Sequence, residues 1–82
     1  MNVRVAIRGY LSRTLQWHNR LVLQESELDR LLPDLAEEHA HAMANGLLDM
    51  IEIEFLDEAD VNRRFFRIGT NPAGMIRPWR VL

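Results

Sequence analysis

The chain has 82 residues, 48% of them apolar, with 12 acids, 10 arginines, no lysine, no cysteine and a formal net charge of −2. That content closes one modest core in a single domain spanning 1–82 without metal or disulfide support, and the missing cysteines remove a disulfide framework and a thiolate zinc site while fitting a reducing compartment. The start alternates valine with arginine where a signal peptide needs an apolar run, no stretch reaches bilayer length, and the mild charge gives no bulk pull toward nucleic acid or lipid, so a cytoplasmic protein without membrane association is expected.

In chain order, "NVRVAIRGYL" alternates cleanly, with Val3, Val5 and Ile7 on one side and Arg4, Ala6, Arg8 and Tyr10 on the other, the pattern of a strand with one wet face. "RLVLQ" at 20–24 reads as a second short strand, reached by a long connection over 12–19 with some strand character from Thr14 to Trp17. "SELD" at 26–29 has the form of a capping box opening one helical turn, which Pro33 then checks because Leu32 before it is pushed out of the helical region.

The main helix is expected from about Pro33 to Ala44, with Asp34, Glu37 and Glu38 at the positive end of its dipole and Asn45-Gly46 as a left-handed stop. Its apolar stripe holds Leu35, Ala36, His39, Ala42 and Met43, while His41 points elsewhere. "DMIEIEFLD" alternates again, with Ile51, Ile53 and Phe55 on one face and Met50, Glu52, Glu54 and Leu56 on the other. "NRRFFRIG" follows after "DEADV", and the two strands form a hairpin that puts Glu52 and Glu54 on one face with Arg63, Phe65 and Arg67. "GTNPAGMIRPW" is rich in turn residues, and "WRVL" suits a final edge strand or an arm packed on the core.

The charges fall into blocks. Residues 1–24 carry four arginines and no acid, 25–60 carry all twelve acids and one arginine, and 61–82 carry five arginines and no acid. Chain reversal turns such blocks into opposite charges facing across a sheet.

The expected class is therefore α+β, in the order ββαββ(β), with one helix on one face of a four- or five-stranded mixed or antiparallel sheet in which the first strand is free to run parallel to a later one. This order resembles that of the ubiquitin-like β-grasp proteins. The C-terminal Gly-Gly of conjugated members is absent, and no functional residue follows from the resemblance.

Several groups invite a chemical reading. His39 within the apolar stripe suits a core histidine with a hydrogen-bond partner. "EEHAH" lacks a metal geometry, since His39 and His41 diverge by about 200° on a helix and Glu37 with His41 has no third ligand in sequence reach. His18, near Tyr10, Arg13, Trp17 and Arg20, is the grouping closest to catalysis, of the kind small ribonuclease toxins use. "GTNPAG" lacks the ending of a phosphate loop and reads as a turn.

No cofactor, metal or catalytic residue is assigned. The exclusive use of arginine fits a GC-rich, bacterial-type genome. The reading is a non-enzymatic protein-interaction module that recognises a partner through an Arg/aromatic sheet face, with Arg4, Arg8, Tyr10, Arg63 and Arg67 as contacts and Met75 and Trp79 as apolar anchors near the C-terminus. The partner is another protein or a second copy in a homodimer. Nucleic-acid binding is the first rival, through arginines on phosphates and aromatic stacking; a small ribonuclease-like enzyme is the second.

Overall fold

In a computed structural model, residues 2–70 and 76–80 are described, with side chains over 2–69. Strand β1 (Asn2–Leu11) turns into β2 (Thr14–Gln24); a 3-10 turn at Glu25–Glu27 leads into helix α1 (Leu28–Ala44). Then follow β3 (Met50–Phe55), the single helical turn α2 (Val61–Arg64), β4 (Phe65–Thr70) and β5 (Ile76–Arg80). The five strands form one sheet in the order β2-β1-β3-β4-β5, every neighbouring pair antiparallel. The expected α+β class with one helix on one sheet face is what the chain adopts.

The parallel pairing allowed for the first strand does not occur: β1 meets β3 antiparallel. The cause is length. Helix α1, with 17 residues, spans about 25 Å and carries the chain from the end of β2 back to the end where β2 began. Strand β3 therefore starts beside Tyr10, near the end of β1, and runs against it. The β-grasp order is present without a parallel central pair.

The first hairpin is also tighter than its sequence suggests. Leu11 pairs with Thr14, so two residues make the turn, and β2 is an 11-residue strand rather than a long connection and a short strand. Ser12 and Arg13 both hold positive φ, 51° and 67°, as two-residue hairpins of the right twist demand. Neither is the Asn or Gly that normally signals it. Asp49 supports the turn from outside, accepting the Ser12 N–H at 2.8 Å while its own N–H donates to the Tyr10 carbonyl at 2.9 Å.

Helix α1 begins earlier than Pro33. It starts at Leu28 and continues through the proline, which loses one hydrogen bond to the Asp29 carbonyl near the N-terminal end without breaking the helix. Glu27 accepts from the Gln24 N–H at 3.3 Å in place of the expected Ser26–Asp29 box. Asp34, Glu37 and Glu38 thus lie beyond the first turn, and Asp29 is the acid at the positive end. The C-terminus ends as expected: Gly46 has φ of 73°, its N–H donates to Met43, and the Leu47 N–H donates to Ala42, closing a Schellman motif.

The extra helical turns add Leu31 to the buried stripe. Leu31, Leu35 and Met43 pack on Val5, Ile7, Ile51, Ile53 and Ile68, the helix-facing residues of three central strands, with Leu48 closing the cluster. Phe55 and Phe66 meet edge to face beside it, their centroids 5.5 Å apart. A bulge near Gly9 and Tyr10 sets Trp17 directly on Gly9, where an added Cβ would lie 2.5 Å from the indole. Trp17 in turn stacks on His39 of α1 at 5.0 Å.

Candidate functional site

The face of the sheet away from α1 is built by the alternation read from the sequence. Arg8 lies opposite Glu52, and Glu52 opposite Arg67, making a row across β1, β3 and β4. Arg8 donates from Nε to Glu52 Oε1 and from Nη2 to Glu54 Oε1, each at 2.9 Å. Arg67 donates to Glu52 Oε2 at 3.0 and 3.2 Å, and Arg64 Nε donates to Glu54 Oε2 at 2.7 Å. All four carboxylate oxygens therefore hold a guanidinium, in the sequence Arg67–Glu52–Arg8–Glu54–Arg64.

The network is sheltered: Glu52 is only 8% exposed. Burial pushes the Glu54 carboxyl up, but the hydrogen bonds from Arg64 and Arg8 together outweigh it and leave the group below its ordinary 4.5. Arg8 shows the mirror case, with burial lowering it and the bonds to Glu54 and Glu52 raising it further. Pairs this protected exceed the roughly 0–1 kcal/mol of an exposed ion pair in what is lost when one partner is removed, since a sheltered charge is then left alone.

The other predicted contacts disperse. Arg4, largely exposed, donates from Nε to both Asp57 oxygens at 3.2 Å, and this bond holds Asp57 below and Arg4 above their usual values. Arg63 is not on the sheet face. Residues 61–64 form a helical turn capped by Asp60, whose Oδ1 accepts the Asn62 N–H, so each residue rotates by about 100° instead of alternating. That rotation turns Arg64 toward Glu54 and leaves Arg63 in solvent, 3.7 Å from Asp60. An aspartate three residues before the arginine pair, in N-cap position for a short turn, is the signal for this exchange. Tyr10 is half-buried between Leu15 and Met50. Trp79 stands opposite Arg67 by backbone register, while Met75 and much of the expected turn over 69–74 lie outside the described residues.

The histidine group divides between two faces. His18 is exposed opposite Arg8, Arg20 is opposite Ala6, and Arg13 sits in the turn, whereas Trp17 lies on the helix side against His39. His39 is half-buried and stacked; among the described residues its ring makes no hydrogen bond, so the indole takes the place of the expected partner. His41 is exposed, and among the described residues no three metal-binding side chains gather.

A second surface lies at the rim of the sheet, where small sheets leave an edge strand to be covered. Strand β2 is the end strand of the sheet, and its outer edge has no partner among the described residues. Its side chains alternate between Leu15, His18, Arg20 and Val22 on the open face and Trp17, Asn19, Leu21 and Leu23 on the helix side. Leu15 and Val22 are 47% and 64% exposed, two of the most exposed large apolar side chains described. Between β2 and α1 runs a groove with two compartments of about 380 and 540 Å³ that share Leu21, Leu35 and Glu38 as walls.

No helix among the described residues is long and apolar enough to cross a membrane. No family model, no curated protein and no solved structure matches this chain.

Proposed function

We propose that the chain is a cytoplasmic, non-enzymatic interaction module that takes up an extended segment of another protein along the free edge of β2. The observation that carries this reading is the edge itself. Over Trp17–Gln24 it is regular, it contains no proline, glycine or lysine, and its open-face side chains include an exposed valine. Natural sheets blunt such edges with short strands, lysines, prolines or covering segments, and edges left open template the pairing of another strand. The state of the sheet-face arginines supports this site, because Arg8 and Arg67, both expected as contacts, and Arg64 beside them are held by Glu52 and Glu54 and present little free charge to a phosphate or a partner carboxylate. The same pairing weighs against a nucleic-acid surface on that face.

Selection from a random peptide library, followed by amide chemical-shift mapping of the enriched peptides, tests the proposal. The expected result is peptides of alternating pattern that perturb the amides of residues 14–24. Perturbation centred on Arg8, Glu52 and Arg67 instead, or no enrichment, would overturn it.

A further inference from the structure

We infer that the groove between β2 and α1 gives the edge its selectivity, and that the segment it takes carries on its groove-facing side two successive basic side chains flanked by apolar ones. This inference rests on the strand-addition reading above. A strand paired to β2 continues the pleat, so every second side chain falls on the same side as Leu21 and Leu23, over the groove. The floor there is Leu21, Leu31 and Leu35, which accepts branched apolar side chains. The helix rim is acidic: Glu27, Asp34 and Glu38 line the groove against a single lining cation, Arg30.

The contrast with the outer face supplies the argument for charge. Glu52 and Glu54 are saturated by guanidinium groups, whereas Asp34 and Glu38 form no ion pair and accept no side-chain hydrogen bond among the described residues. Two unmatched carboxylates four residues apart occupy the same side of a helix, about 6 Å apart along its axis, close to the spacing of alternate residues on a strand, about 7 Å. An extended segment with basic residues at two successive groove-facing positions meets both. Complementary charge at a rim sets partner choice and association rate.

The test uses the full chain and two nine-residue peptides with threonine at odd positions. One carries valine, arginine, arginine and valine at the even positions; the other has glutamate in place of each arginine. Fluorescence anisotropy is expected to show at least tenfold tighter binding of the basic peptide, with shifts at the amides of β2 and of Asp34 and Glu38. The double variant Asp34→Asn, Glu38→Gln, on an exposed helix face and checked for an unchanged circular dichroism spectrum, should reduce that preference to less than threefold. Equal binding of both peptides at β2 overturns the charge selectivity and leaves the edge reading standing. Binding of neither peptide overturns both. Shifts at β2 that grow with protein concentration alone identify a second copy as the occupant and overturn the basic segment.

Discussion

The two lateral halves of the sheet solve the same problem in opposite ways. Over β1, β3 and β4 the outward side chains are mutually satisfied, acid against arginine, and the pairs are sheltered enough that Glu52 is nearly inaccessible. Along β2 the outer backbone edge has no partner among the described residues, apolar side chains stand in solvent, and Asp34 and Glu38 of α1 form no ion pair among those residues. A self-neutralised face stabilises the fold and repels little; an unsatisfied edge has free energy left to gain from a partner. The difference teaches that the density of charge in a sequence marks where the fold is held, and its surplus marks where something else can bind.

The sharpest way to break this comparison is to remove the centre of the network. Glu52→Ala is expected to cost about 3 kcal/mol, because Arg8 and Arg67 are left facing each other in a sheltered site; urea denaturation measures it, and a loss comparable to an exposed pair would show the network to be ornamental. Next is Gly9→Ala at the junction between the halves, where the new methyl meets the Trp17 ring. The expected loss is about 2 kcal/mol, accompanied by a change in tryptophan fluorescence as the Trp17–His39 stack shifts.

Acid separates the halves by pH. Since the folded state holds Glu54 below its ordinary 4.5, the stability it contributes is fully present above that value and is lost as pH falls through the folded-state value. Urea midpoints should therefore decline below about pH 4.5, and Glu54→Gln should flatten that decline while lowering stability at neutral pH. The smallest effect belongs to the free edge: Val22→Lys should change stability by less than about 0.5 kcal/mol, yet weaken peptide pairing along β2 severalfold by anisotropy. A large stability loss there would mean that the edge is part of the fold's own support.

Much of the architecture was legible because period-2 and period-3.6 patterns are local. The helix-facing set Val5, Ile7, Ile51, Ile53 and the stripe Leu35, Ala36, Ala42, Met43 follow from side-chain direction alone, as does the Glu52–Arg67 pairing once the hairpin register is fixed by keeping Ile51 and Ile53 inside. The Gly46 stop was legible for the same reason, since glycine is strongly favoured at the left-handed position that ends a helix. The β1–β2 turn was not, because Ser12 and Arg13 reach positive φ with the help of Asp49, which is distant in sequence. Nor was the exchange of Arg63 for Arg64, where a single helical turn interrupts the strand period.

The sequence by itself determined the order of the main elements, their inward faces and the fact that the acidic middle must lie beside arginine-rich ends, because these depend on bonds between near neighbours and on the sign of charge. Only the tertiary structure decided which guanidinium meets which carboxylate, that β1 runs against β3, and that β2 is left at the rim with a groove beside it. Those outcomes turn on the return length of α1 and on contacts between residues far apart in the chain, and no local pattern encodes either.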